Sequence, residues 1–150
     1  MPYELKASEQ LPLLDGLPCE KIVYSRIPMM ITANCVLRTM GRCRKGEKKS
    51  ALVKLDKASG KRQDTAVLTD RHHRKFPVAV NCAHCINIIY NSVPFSLHQE
   101  LPKWHGKADL RLDFTLESAE EVKKILDAFL KGEPFVLGEY TTGHERRGVE

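Results

Sequence analysis

The sequence predicts an α+β protein, rich in strand, with one long amphipathic helix and an inserted β-hairpin. Three observations predict it. Ala108 to Thr115 alternates apolar and polar residues and runs straight into an amphipathic segment over Ser118–Lys131. A second strand and its return are readable around a Gly-containing turn near residue 60. A Cys-x-x-Cys pair, Cys82 and Cys85, sits between two short apolar runs. At 150 residues, 42% hydrophobic and 29% charged, the chain has an ordinary globular composition and a length that suits one domain. It is too short for a complete (β/α)8 barrel, which takes about 250 residues. No apolar run approaches the roughly 20 residues that span a bilayer, so no membrane role is expected.

Residues 1–18 read as an irregular leading segment with three prolines, and 19–150 as a single cysteine-bearing region. Glu20 to Ile27 suits a mostly buried strand, with Ile22, Tyr24 and Arg26 on one face and Val23, Ser25 and Ile27 on the other. Pro28 interrupts it, because proline cannot donate to a ladder. Met29 to Thr32 resumes extended structure. Ala51–Asp56 and Thr65–Thr69 form the two arms of the hairpin. Asp70–Lys75 is a polar turn. Phe76–Val80 leads into the Cys-x-x-Cys, and Ile86–Tyr90 fits strand or helix equally.

Pro94–Gly106 is a connection containing Trp104. Leu110, Leu112 and Phe114 form the apolar face of the next strand, opposite Asp109, Arg111 and Asp113. In the helix, Val122, Ile125, Leu126, Phe129 and Leu130 make one stripe. Ser118 and Glu121 have capping-box spacing, and Gly132 supplies the left-handed stop. A strand feeding such a helix resembles one strand–helix unit of a barrel or layered α/β protein. The tail from Tyr140 is polar and extended.

The N-terminus, Met1-Pro2-Tyr3-Glu4-Leu5-Lys6, lacks the basic cap and apolar core of a signal peptide, so a cytoplasmic address is expected. Thiols stay reduced there, and grouped cysteines point to metal or catalysis before disulfides. There are five. Thiolates are soft donors that suit zinc or iron–sulfur clusters. Cys82 and Cys85 can hold one metal from a single turn. Cys35 and Cys43, with seven residues between them, are too widely spaced for a zinc knuckle, whereas a cluster accepts ligands from scattered loops. Cluster, zinc and unligated thiols all stay open on spacing. Thioredoxin-like redox chemistry fits poorly, since its Cys-x-x-Cys precedes a helix in a βαβ unit. Cys19 reads as a small core residue.

The net charge of +5 is unevenly placed. Residues 42–75 hold twelve Lys and Arg against four Asp and Glu, a local balance of +8 that leaves −3 elsewhere. Such a segment reads as a solvated hairpin or as a face for a polyanion such as RNA. His84 could be a ligand, a neighbour of the ligands, or a surface imidazole, and His72 and His73 lie near the thiols in sequence. Asp70 with Arg71 reads as a salt-bridged turn or a substrate contact. His144 with Arg147 could bind an anion or lie in a mobile tail.

Several stretches together resemble the collagenase-like peptidase family, peptidase family thirty-two of unassigned catalytic type. They are Ile22-Val23-Tyr24-Ser25-Arg26-Ile27-Pro28-Met29-Met30, Cys35, Cys43, Leu68-Thr69-Asp70-Arg71, Phe76-Pro77-Val78 and Cys82 with Cys85. Ile89-Tyr90-Asn91-Ser92-Val93-Pro94, Arg111-Leu112-Asp113-Phe114-Thr115, Thr142-Gly143-His144 and Arg147-Gly148-Val149-Glu150 continue the likeness from about Cys19 to the end. Ser25 departs from the family's usual glycine. The earlier barrel strands and their His-Gly segment have no counterpart.

The resemblance implies a β-rich, partial barrel-like fragment, the C-terminal part of a TIM-barrel-like family. It implies ligation of an iron–sulfur (4Fe-4S) cluster by Cys35, Cys43, Cys82 and Cys85, and a cytosolic bacterial protein. Relatives include RNA hydroxylation factors and oxygen-independent ubiquinone hydroxylation factors; others carry the name collagenase-like protease. The expected role is therefore the cluster-bearing part of a hydroxylation factor for RNA or another aromatic substrate. Such a part would not be active alone, the remaining barrel coming from a missing N-terminal portion or a partner chain. Two alternatives stand beside it. One is part of a peptidase, although no Ser/His/Asp, Cys/His or His-Glu-x-x-His signature is present. The other is a zinc-stabilised RNA- or protein-binding module.

Overall fold

The computed structural model describes residues 1–2, 4–14, 16–41, 43, 64–133 and 138–146. In chain order the elements are α1 (Ala7–Gln10), a 3-10 turn (Leu11–Leu14), β1 (Glu20–Ser25), β2 (Pro28–Thr32), α2 (Val36–Thr39), β3 (Asp64–Thr69), β4 (Lys75–Asn81), β5 (Ile86–Tyr90), β6 (Phe95–Ser96), α3 (Leu101–Trp104), β7 (Asp109–Asp113) and α4 (Ala119–Lys131). The fold is α+β with two separate sheets and no closed barrel among the described residues. The chain divides into two compact units, Pro28–Ser92 and Met1–Ile27 with Val93–Glu150. Among the described residues no helix is long and apolar enough to cross a membrane.

In the discontinuous unit, β1 is the middle strand of the order β6-β1-β7. It pairs antiparallel with β6, through Tyr24↔Ser96 and Ser25↔Phe95, and parallel with β7, from Glu20↔Asp109 to Ser25↔Asp113. Val23, Phe95 and Leu97 form the buried core, with Ile27, Leu101, Leu112 and Phe129 packed against it. The expected buried strand is thus β1. It also buries Lys21, which no apolar pattern marks. Lys21 Nζ donates to Gln10 Oε1 (2.8 Å) and Glu145 Oε2 (2.7 Å) and lies 4.3 Å from the centre of the Trp104 ring. Trp104 Nε1 donates to Glu145 Oε1 (2.9 Å). A buried charge needs such partners, because desolvation otherwise outweighs what burial gains. This network anchors the leading segment through Gln10 and the tail through Glu145.

Helix α4 forms where the local signals put it. Ser118 Oγ accepts the Glu121 N–H at 3.3 Å, the Glu121 carboxylate accepts the Ser118 N–H at 2.8 Å, and Gly132 takes φ 67°. The stripe is only half used. Ile125 and Ala128 are buried, whereas Leu126 is 41% and Leu130 77% exposed. Strand β7 likewise differs from the expectation of a buried apolar face. It is an edge strand, and its apolar face is covered only in part: Leu112 packs against the core, whereas Leu110 is exposed.

In the contiguous unit four strands run antiparallel in the order β2-β5-β4-β3. The ambiguous Ile86–Tyr90 is a strand, since it pairs on both sides, with β2 and with β4. Val78, Ala79, Val80, Asn87 and Tyr90 are buried on these two central strands. β2 lies at the edge with Met29, Met30 and Ile31 exposed. The second arm of the expected hairpin is β3, paired with β4. The first arm, residues 51–56, lies outside the described residues, as does most of the basic segment 42–75.

Candidate functional site

The Cys-x-x-Cys is the loop of the β4–β5 hairpin. Asn81 pairs with Ile86, so Cys82, Ala83, His84 and Cys85 make a four-residue connection. Asn81 Oδ1 accepts the His84 N–H at 3.2 Å and braces it. The last loop residue, Cys85, has φ 55°. That left-handed conformation costs a residue with a Cβ about 1–2 kcal/mol, and glycine or asparagine is its usual occupant. Cys82 is exposed and Cys85 half-buried.

Cys35 reaches the same end of the sheet by another route. β2 is antiparallel to β5 with Thr32 opposite Asn87, so the chain leaves β2 where β5 begins. Thr32 Oγ1 accepts the Asn34 N–H at 3.1 Å and turns the backbone. Cys35 then caps α2, its carbonyl accepting the Thr39 N–H (3.0 Å) and the Thr39 hydroxyl (3.2 Å). The buried side chain of Asn87 joins the two routes. Its Nδ2 donates to the Thr32 carbonyl (3.3 Å) and the Asn34 carbonyl (2.8 Å). Asn87 Oδ1 has no hydrogen-bond partner among the described residues. Cys35 follows one of the held carbonyls directly, and Cys85 precedes Asn87 by two positions. α2 ends near Gly41, which takes φ 68°, and the exposed Cys43 follows two residues later.

The structure therefore brings the connections bearing Cys35, Cys82 and Cys85 to one end of one sheet. It does not close the side chains around a point. Among the described residues no three His, Cys, Asp or Glu groups stand close enough to hold a metal ion, and no disulfide joins the five cysteines. The donor set, four thiols in one unit, suits a soft metal by its chemistry. Cys19 belongs to the other unit, half-buried before β1.

The remaining candidates separate. Asp70 builds the β3–β4 turn: its carboxylate accepts the N–H groups of His72 (2.8 Å) and Arg74 (2.9 Å). Its carboxylate thus serves backbone donors in a turn, and Arg71 Nε instead meets His72 Nε2 at 3.2 Å. That turn adjoins Lys75, whereas the thiol loop adjoins Asn81, at the other end of β4. Six steps of about 3.3 Å put His72 and His73 roughly 20 Å from the cysteines along the strand. His84 is exposed on the thiol loop itself. His144 is exposed, and Arg147 lies outside the described residues.

Sequence reasoning missed Asn87 and two clusters in the other unit. Ser96 Oγ and His98 Nδ1 lie 3.1 Å apart, with Ser96 buried. Burial holds the His98 imidazole below its usual pKa. At Glu117, Oε1 accepts the Tyr24 hydroxyl (2.9 Å) and Arg26 Nε (3.1 Å), and Oε2 accepts the Thr115 (2.8 Å) and Leu116 (3.0 Å) N–H groups. Burial pushes this carboxyl up, but the donors outweigh it and hold the group below the usual carboxylate range. Tyr24 moves the opposite way, raised first by burial and then by the Glu117 charge. Alternation and grouping along the chain cannot join Glu117 to Tyr24 and Arg26, which lie 93 and 91 positions away.

Comparison with protein-family profiles, curated proteins and solved structures returned no match.

Proposed function

We propose that Pro28–Ser92 is a thiolate metal-binding unit in which Cys35, Cys43, Cys82 and Cys85 hold an iron–sulfur cluster. The observation that carries this reading is the Asn87 link, which fixes the Cys35 corner beside the strand that follows Cys85. The left-handed Cys85 adds support, because a costly backbone at a non-glycine residue is retained where its side chain is needed. The exposed Cys43 and Cys82 would turn inward as the thiols lose protons to the metal, since ligation and ordering are coupled. A bound cluster would supply one-electron chemistry; the chain supplies the thiolates and their spacing.

On this reading the protein is the cluster-bearing C-terminal part of a cytoplasmic protein similar to the collagenase-like peptidases, acting in hydroxylation of RNA or another aromatic substrate. The parallel pair β1/β7 followed by α4 is consistent with a strand–helix unit of a barrel-like parent. The basic segment 42–75 would meet the polyanion, and the rest of the barrel would come from another segment or chain.

Anaerobic purification followed by iron, zinc and acid-labile sulfide analysis tests the reading. The expected result is a coloured protein with iron and sulfide in equal amounts, lost when any one of the four cysteines becomes serine. A colourless protein without sulfide overturns the cluster. One zinc per chain without iron would transfer the thiols to a zinc-stabilised RNA- or protein-binding module. Peptide hydrolysis by the purified chain, abolished by one substitution, would favour the peptidase reading.

A further inference from the structure

We propose that the open edge of β7 pairs with β7 of a second copy of this chain, antiparallel and centred on Leu110. Three observations in the discontinuous unit carry it, and none depends on the metal reading. First, β7 ends its sheet: among the described residues it pairs only with β1, and Asp109, Leu110 and Arg111 are exposed. An exposed edge with unused backbone donors and acceptors is a template for another strand.

Second, the sequence here is complementary to itself in one register. Two-fold pairing about Leu110 sets Asp109 opposite the second copy's Arg111 within the strands, and brings Lys107 and Ala108, in the turn before β7, towards Asp113 and Leu112. Every charged position then meets its opposite, twice over by symmetry. Centring one residue later, on Arg111, would set Asp109 against Asp113 and Arg111 against itself. Like charges directly opposite destabilise a strand pair, so the register is selective. The present contacts of Arg111, to Glu20 (3.2 Å) and Asp113 (3.5 Å), are exposed ion pairs of little worth and give way easily.

Third, a groove of mixed polarity lies at the start of this strand, where the chain also enters β1. It measures about 480 Å³ and is lined by Leu17, Pro18, His105, Lys107, Asp109 and Leu110 among others, with Leu17 64% and Leu110 39% exposed. In the proposed register the second copy's Leu110 lies opposite this Leu110, at the groove. Another terminal strand, β2 in the other unit, is more apolar, but it begins with Pro28 and carries a register shift between Pro28 and Met30. Both features blunt an edge against pairing. A two-fold contact uses the same patch twice and closes at a dimer.

Light scattering coupled to size exclusion, over a concentration series of the full chain, tests the proposal. The wild type is expected to be a dimer that dissociates on dilution. Asp109→Arg sets Arg opposite Arg111 and should raise the dissociation constant at least tenfold. Lys107→Glu should act in the same direction through Asp113. The double variant Asp109→Arg/Arg111→Asp exchanges the charges and should restore the dimer. A wild type that stays monomeric overturns the proposal, including the case in which a missing barrel portion normally takes this edge. So does a dimer that ignores both single variants, or one broken instead by Ile31→Lys on β2.

Discussion

Asn87 donates its side-chain N–H to the Asn34 carbonyl across 2.8 Å from a position with no solvent exposure. The same amide holds the Thr32 carbonyl, so one residue on β5 fixes how the chain leaves β2. Asn87→Ala strips both acceptors at once. Asn34 is exposed and Thr32 half-buried, so water reaches the freed carbonyls and each lost bond costs about 0.5–1.5 kcal/mol. The expected loss is about 1–3 kcal/mol in urea denaturation followed by circular dichroism. Asn87→Asp should be worse, because it sets a carboxylate against two carbonyl oxygens. On the metal reading both variants also lose metal, since the Cys35 corner is no longer held.

Cys85 separates stability from ligation. In the metal-free protein Cys85→Gly relieves a left-handed backbone worth about 1–2 kcal/mol and loses about 0.4–1 kcal/mol to greater freedom when unfolded. A net gain of roughly 0.5–1 kcal/mol is expected. Cys85→Ala keeps the strained backbone and should gain nothing. If the thiols bind metal, both variants lose it, so the glycine variant gains apo stability and loses metal content together. Thermal melts in the presence and absence of chelator check the opposing signs.

The Lys21–Glu145 pair is the costliest feature to break. The two side chains are 4% and 2% exposed and meet at 2.7 Å. Removing one charge strands the other in the interior, which costs about 3–5 kcal/mol. Lys21→Met is therefore expected to destabilise by that amount, and Glu145→Gln by somewhat less, because the glutamine still accepts from Trp104. The double variant should cost less than the sum of the singles, and a double-mutant cycle measures the difference.

What could be read in the sequence follows how local each cause is. The cap, stripe and glycine of α4 lie within fifteen residues, and the helix forms where they put it. The stripe could not say how wide a face the protein covers, and Leu126 and Leu130 remain exposed. The alternation of β7 gave the strand but not its place at an edge, which depends on neighbours. Cys82 and Cys85 were legible as a motif; the loop that bears them and the connection bearing Cys35 lie at one sheet end, while no three donors close on a point among the described residues. The device that joins them, Asn87, looks like any polar residue in an apolar run. Lys21 was illegible for the same reason: its carboxylate partner is 124 positions away. The division into two units was also hidden, since one of them is discontinuous in sequence.

Glu117 gives the protein a defined acid response. Its folded-state pKa lies below the unfolded value of about 4.3. The stability it contributes is therefore complete above that value and is lost as pH falls through the folded pKa. Glu117→Gln removes the charge that Tyr24, Arg26 and two backbone N–H groups address. At pH 7 it should destabilise by about 1.5–3 kcal/mol, the worth of hydrogen bonds to a charged group. Below about pH 4 the gap to wild type should narrow, because the wild-type carboxyl is then protonating as well. Tyr24→Phe should cost less at pH 7, and little further once Glu117 is glutamine, if the phenol's stabilisation comes through that carboxylate. Urea midpoints measured from pH 3 to 8 for the three variants and wild type check this; parallel curves at every pH would show that the carboxylate's charge contributes nothing.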